Sequence, residues 1–226
     1  MAVTALAAAT VSDRLAYVRE RIAGAGGSPD EVTIVAVTKG FGPDAVEAAA
    51  AAGVVDVGES YAQEMIAKAS VVGPTRCRWH FIGRVQRNKV RALAPLVHLW
   101  QAVDREAAGR EIARRAPGSR VLVEVNVSAE EAKSGCTFEE APALVAALRD
   151  LGLDLRGVMA VGPAGDPERA RAGFRELRRL ADRLGLEERS MGMTADLEVA
   201  IQEGSTMVRV GRALFGERPG PATERR

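Results

Sequence analysis

Short apolar, β-branched runs alternate with alanine-, arginine- and glutamate-rich stretches along almost the whole chain. The runs at 32–37 (VTIVAV), 54–57, 78–82, 97–101, 120–126, 154–160, 188–191 and 206–210 have the length and residue types of buried strands, the seventh being the weakest. Helical patterns fill 43–52, 60–69, 86–94, 104–115, 138–150, 167–184 and 195–203. A further helix at about 12–25 precedes the first strand, with Ser12 as its expected N-cap and Gly24 to Gly27 as its stop. Strands that alternate with helices imply βαβ units and a parallel sheet. Eight such repeats predict an α/β fold of the (β/α)8 TIM-barrel type with an extra N-terminal helix. An open doubly wound sheet is the alternative, because the seventh run is short. No change of composition divides the chain, so residues 1–226 read as one domain, with about 217–226 (ERPGPATERR) as a frayed tail.

Both architectures place function at the C-terminal ends of the strands. The candidates are therefore Thr38-Lys39-Gly40, Gly58-Glu59-Ser60-Tyr61, Gly83-Arg84, Asn126, Met159-Ala160, Met191 to Thr194 and Gly211-Arg212. Lys39 is the most unusual of them, a strongly hydrated cation at the exit of an apolar strand. Partial desolvation there lowers an ammonium pKa and exposes a nucleophilic amine, which is what condensation with an aldehyde requires. The plain alternative is a strand-end lysine that reaches water.

The stretch 203–216 (EGSTMVRVGRALFG) surrounds the last strand with glycine and small hydroxyl residues. In barrels the loops after strands seven and eight commonly bind phosphate through backbone N–H groups. Thr194, in MGMTADLE (191–198), could donate its hydroxyl there or serve as a plain helix N-cap. Asp196 and Glu198 would oppose an anion unless their side chains turn away. Arg209 lies between Val208 and Val210, so strand alternation puts it on the other face, where a charge inside a strand faces either the barrel mouth, the favoured reading, or the surface.

The formal net charge is +1, from 31 basic and 30 acidic residues, so no single-sign field directs the chain to nucleic acid or a membrane surface. No apolar run approaches the ~20 residues of a membrane helix, and the N-terminus lacks a basic segment before its apolar residues. Cys77 and Cys136 form no metal or redox motif, and the two histidines, His80 and His98, are too isolated for a His-rich metal site. A cytoplasmic chain without metal is the expectation.

Seven stretches, spread in order over the chain, carry a resemblance to a known family: VAVTKG (35–40), VGESYAQE (57–64), WHFIGRVQRNK (79–89), KSG (133–135), RGVMAV (156–161), MGMTADLEVAI (191–201) and GSTMVRVGRALFG (204–216). Together they resemble the pyridoxal phosphate homeostasis proteins, whose barrel is similar to the N-terminal domain of alanine racemases. The resemblance implies pyridoxal 5′-phosphate as cofactor, held as a Schiff base on Lys39, with Arg209 at the pyridine nitrogen. Thr194 and the backbone of Gly211 and Arg212 would hold the phosphate, with Ser205 as a further contributor. Ser60, His80 and Met159 would line the pocket near the ring. One departure is Ser60, where the family usually has asparagine; a hydroxyl cannot reproduce the two-ended hydrogen bonding of an amide. The implied role is intracellular cofactor homeostasis by a monomeric, non-catalytic carrier, buffering the cofactor or delivering it to apoenzymes, with no nucleic-acid or membrane partner. The chain ends soon after the last strand, where racemases continue into a second domain that supplies a catalytic tyrosine.

Two other readings stay open. One is a pyridoxal-phosphate-dependent racemase of a small amino acid. The other is an adaptor that uses the basic stretch 84–96, although Val85, Val90 and Leu93 there suit the buried side of an ordinary surface helix. The loop 126–138 is long enough to act as a lid, with Lys133 either a gate or second amine or, as the favoured reading, a solvated charge. Cys136 beside it has no identifiable base.

Overall fold

The eight apolar runs are the eight strands of a closed parallel barrel in the computed structural model, which describes residues 8–73, 75–128, 130 and 134–218. The strands are β1 (Thr33–Val37), β2 (Asp56–Glu59), β3 (Arg78–Phe81), β4 (Val97–Val103), β5 (Arg120–Glu124), β6 (Asp154–Met159), β7 (Glu188–Ser190) and β8 (Met207–Val210). Each pairs with its neighbour in sequence, and β1 pairs with β8 through Thr33–Met207 to Ala36–Val210. That last pairing closes the sheet and excludes the open alternative. The weak seventh run is a three-residue strand, joined to β8 at Ser190–Met207.

Helices α2 (Pro43–Ala51), α3 (Ala62–Val72), α4 (Arg87–Leu93), α5 (Glu106–Arg115), α6 (Ala141–Asp150), α7 (Arg171–Leu184) and α8 (Leu197–Gln202) follow β1 to β7, and the short α9 (Arg212–Phe215) follows β8. A 3-10 turn at Pro167–Ala170 leads into α7. The main apolar layer lies between the strands' outer faces and these helices, with Trp79, Trp100 and Phe174 at its centre. A smaller apolar set fills the inside of the barrel: Val35, Leu99, Ala102, Leu122, Met159 and Met207.

The extra helix, α1 (Ala8–Gly24), packs on α2, α8 and α9. It buries Val11, Leu15, Val18 and Ile22, a stripe at helical spacing. Each such side chain contributes about 1.5–3 kcal/mol when taken from water. Ser12 is not its N-cap: the helix already runs from Ala8, which leaves Ser12 inside the second turn. The expected stop holds, with Gly24 as the last helical residue and Gly26 at φ 89°.

Strand β2 lies two residues C-terminal to the expected 54–57. Val54 packs outside the sheet with Ala45, Ala48 and Ala49 of α2, and β2 enters register with β1 only at Val57–Ala36. The shift takes Glu59 from an expected loop into a fully buried strand end. Glu217 and Arg218, the first two residues of the expected tail, form part of a pocket wall. Residues 219–226 lie outside the described residues.

Candidate functional site

At the C-terminal ends of β1, β7 and β8 a cavity of about 490 Å³ opens to the surface. Lys39, Thr194, Arg209, Gly211 and Arg212 all line it, five of the nine residues expected at the site. Lys39 is half-buried at the first residue but one after β1. Burial pushes its ammonium pKa down, and the charges of Arg218 and Arg209 push in the same direction against a smaller opposing effect of Glu59. The amine is therefore more nucleophilic at neutral pH than a solvated lysine.

A buried ion pair clamps the turn that carries Lys39. Thr38 Oγ1 donates to Glu59 Oε1 at 2.7 Å. Lys68 Nζ, from α3, donates to the same oxygen at 2.5 Å and to the Thr38 carbonyl at 2.7 Å. Glu64, one helical turn before Lys68, accepts from the Gly40 N–H at 2.8 Å and from Lys68 at 3.1 Å. The residues on both sides of Lys39 are thus tied to one helix. The motif reading found Lys39 and not the clamp. The available signal was a lysine on the buried stripe of α3, beside Ala62, Met65 and Ala69.

Thr194 lies in the loop after β7, two residues before Asp196, which is the N-cap of α8. Thr194 Oγ1 accepts from the Ala213 N–H at 3.2 Å, which joins this loop to the first turn of α9. Arg21 of α1 donates to the Thr194 carbonyl at 2.9 Å and pairs in a fork with Glu198 at 2.6 and 2.7 Å. The N-terminal helix therefore props the candidate anion loop from outside. The two acids that could oppose an anion are both turned away: Asp196 accepts from the Met193 N–H at 2.7 Å and Glu198 faces Arg21. At Gly192 the backbone has φ 93°, and an added methyl would lie 2.5 Å from Ala200 Cβ, so this bend requires glycine. A Cβ on Gly211 would point at the Val37 carbonyl, 3.0 Å away; its smallness serves the approach of β8 to β1 rather than of a ligand.

Arg209 is buried inside the barrel, on the face opposite Val208 and Val210, as alternation predicts. Its Nη1 donates to the Ser190 carbonyl and to Ser190 Oγ, each at 2.7 Å, and its Nη2 to the Ala160 carbonyl at 2.7 Å. Three of five N–H groups are so used, which leaves two for an acceptor in the cavity. Burial pushes its pKa down to about 10, so it remains cationic at neutral pH.

Four expected site residues do not line the cavity. Ser205 lies before β8, at the opposite end of the barrel, where its hydroxyl contacts the carbonyls of Met191 at 2.7 Å and Met207 at 3.0 Å. His80 lies within β3, one layer below the mouth, and Ile82, two residues on, lines the cavity in its place. Met159 is buried in the inner apolar set. Ser60 follows β2 outside the lining, its carbonyl packed under Gly83. Residues missed by sequence reasoning are Phe41 and, from the expected tail, Glu217 and Arg218.

Cys77 and Cys136 are free and buried; burial pushes both thiols up to about 12, so neither is a nucleophile at neutral pH. Val85, Val90 and Leu93 are buried, as for an ordinary surface helix, while Arg87 and Arg91 flank a shallow groove with Arg114 and Arg115. In the segment 126–138, Cys136 bridges to Val125 and Ser134 Oγ donates to Glu124 at 2.6 Å, so its far end is fastened to β5. Lys133 lies outside the described residues. Among the described residues there is no metal-type cluster of His, Cys, Asp or Glu, and no helix is long and apolar enough to cross a membrane.

The chain is thus a (β/α)8 barrel with Lys39 after β1 and the loops after β7 and β8 on one cavity, and it belongs to the family described as "Alanine racemase, N-terminal domain", whose model matches residues 11–219. Within that class the chain belongs to the pyridoxal phosphate homeostasis protein family. It is 43% identical over 212 residues to the pyridoxal phosphate homeostasis protein of Pseudomonas aeruginosa, covering 90% of this chain and 92% of that one. An unknown protein from Bifidobacterium adolescentis, 36% identical, superposes with a TM-score of 0.85 over 92% of this chain and 95% of that one. PipY of Synechococcus elongatus with PLP bound, 29% identical, superposes with a TM-score of 0.80 over 91% of this chain and all of that one (100%).

Proposed function

We propose that this chain binds pyridoxal 5′-phosphate and serves its homeostasis as a carrier, in the cytoplasm, delivering the cofactor to apoenzymes. The observation that carries this reading is one cavity with the activated Lys39 amine on one wall, the Thr194 and Gly211–Arg212 loops on another, and Arg209 beneath. The donor set fits the group. Lys39, Arg209, Arg212 and Arg218 face a single lining carboxylate, Glu217, a balance suited to a phosphate dianion. When bound, the cofactor supplies an aldehyde carbon for the Lys39 amine and a pyridine ring that withdraws electrons.

Lys39 anchors. Thr194 and the first turn of α9 would hold the phosphate, and Arg209 would offer its N–H donors to the ring. A donor-only guanidinium there would favour an unprotonated ring nitrogen and a weaker electron sink. Among the described lining residues no His, Tyr or Cys is present to move a proton on a bound amino acid. Both features favour holding over turnover. Incubation of the loaded protein with L-amino acids is expected to give no racemisation above ~1 per second, the low end of ordinary enzymes. Chiral chromatography showing faster turnover would replace the carrier with the racemase. Transfer to an apoenzyme, followed by recovery of that enzyme's activity, tests delivery.

The prop from α1 yields a second expected result. Arg21→Ala should weaken binding of pyridoxal phosphate by up to about tenfold, ~1.4 kcal/mol, and leave binding of unphosphorylated pyridoxal unchanged. Spectroscopic titration with both ligands separates a phosphate-loop effect from general loosening.

A further inference from the structure

The inside of the barrel is not wholly apolar. Five side chains from five strands form one hydrogen-bonded line from the cavity floor to the opposite end. Arg209 Nη1 donates to Ser190 Oγ at 2.7 Å, and Ser190 Oγ donates to Gln101 Oε1 at 2.7 Å. Gln101 Nε2 meets His80 Nδ1 at 2.7 Å, and His80 Nε2 meets Asp56 Oδ1 at 2.9 Å. Asp56 Oδ2 then accepts from Arg78, which is half exposed, at 2.6 Å. All five inner residues are buried, from 0% exposure at Gln101 and Ser190 to 7% at Asp56.

The two ends dictate the direction of every bond between them. A guanidinium can only donate and a carboxylate can only accept. Burial alone would raise the Asp56 pKa, but hydrogen bonds from His80 and Arg78 hold it below the usual range, so this end is an acceptor. Ser190 Oγ accepts from Arg209, so its one proton goes to the Gln101 carbonyl oxygen. The Gln101 amide nitrogen therefore faces His80, whose Nδ1 must carry a lone pair and whose Nε2 must carry the proton given to Asp56. Each dipole then presents its negative end toward Arg209, which offsets part of the cost of burying that cation. Reversing the amide would turn the dipoles against it.

We propose that Asp56, His80, Gln101 and Ser190 are positioning residues: an ordered hydrogen-bond relay through the barrel that fixes Arg209 beneath the cavity and so sets the donor presented to the cofactor's ring nitrogen. The consequence for the cofactor rests on the proposed function; the order of the relay does not.

The test uses histidine-15N-labelled chain without cofactor. Only two histidines are present, and His98→Gln assigns the pair. Two-bond 15N–1H correlation spectra at neutral pH are expected to show His80 with Nδ1 bare and Nε2 protonated. The discriminating variant is Asp56→Asn, whose amide can accept or donate. If the Arg209 end orders the relay, Asp56→Asn keeps the same tautomer. Adding Ser190→Ala, a residue not bonded to His80, then releases Gln101, and the Nδ1–H form appears. Ser190→Thr in its place restores the original pattern. In the loaded protein, Ser190→Ala should shift the cofactor's visible band and Ser190→Thr should return it. A wild-type His80 protonated at Nδ1, or a double variant with the spectrum of Asp56→Asn alone, overturns the relay. Ordered spectra from a protein that takes up no pyridoxal phosphate would uphold the relay and overturn the cofactor reading alone.

Discussion

Lys39→Ala is expected to abolish the visible absorption band of the cofactor-loaded protein and all covalent label. Treatment of loaded wild type with a hydride reductant, digestion and mass spectrometry should place the pyridoxyl mass on the peptide that carries residue 39. The same treatment of Lys39→Ala should place it nowhere. The effect is near total because the covalent link needs a neutral primary amine, and of the residues that line the cavity only Lys39 has one. Lys39→Arg sharpens the result. It preserves the cation beside the phosphate site but provides no nucleophile, since a guanidinium stays protonated. Reversible binding with no reducible adduct is expected for Lys39→Arg, against loss of both the adduct and part of the affinity for Lys39→Ala. A label on another lysine in wild type would refute the assignment, whatever the colour of the protein.

Those parts of the site that depend on local sequence were legible in advance. A five-residue apolar strand that ends at Thr38-Lys39 can place that lysine only at a strand exit, and the valines around Arg209 fix the face of the arginine. The glycines and threonine after the last two strands were expected at one site with Lys39, and Thr194, Gly211 and Arg212 do line the same cavity. For three of the four expected residues outside the lining, position along the strand accounts for the placement. His80 and Met159 lie within β3 and β6 and point into the barrel outside the lining, whereas Ile82, just past the end of β3, reaches the cavity. Ser205 precedes its strand and therefore sits at the other end of the barrel. The resemblance carried these positions, but strand polarity decides where they point. Most opaque were contacts between distant strands. Nothing local to Gln101 or Ser190 announces that each satisfies the other across the barrel at 2.7 Å. The Arg21 prop, 173 residues from Thr194 in sequence, is equally silent until the barrel closes.

The clamp behind Lys39 has the largest expected effect on stability. Glu59 is fully buried, and one of its oxygens, Oε2, has no hydrogen-bond partner; its charge is balanced mainly by Lys68, itself 4% exposed. Lys68→Met keeps the length and apolar stem of the side chain but strands the carboxylate, and breaking a buried pair from one side costs about 3–5 kcal/mol. Glu59→Gln should cost less. Lys68 keeps the Thr38 carbonyl at 2.7 Å and Glu64 at 3.1 Å, and the amide still accepts from Thr38. The double variant should be more stable than the sum of the single losses, with a coupling of about 0.5–3 kcal/mol, because Lys68→Met then leaves no charge behind. Urea unfolding of the four proteins measures this cycle. The pH dependence has a definite sign. Burial already raises the Glu59 pKa, with Lys68 opposing, so removal of Lys68 raises it further. A carboxyl with a folded pKa above its unfolded value takes up a proton on folding, so stability falls as pH rises between the two values. The deficit of Lys68→Met should therefore be smallest in acid and grow toward neutral pH, while Glu59→Gln/Lys68→Met shows no such trend from this site. An equal deficit at all pH values would mean that the Glu59 charge is not what Lys68 neutralises. Lys68→Met should also slow the uptake of pyridoxal phosphate, since the carbonyl of Thr38 and the N–H of Gly40, on either side of Lys39, are both held through Lys68 and its partner Glu64.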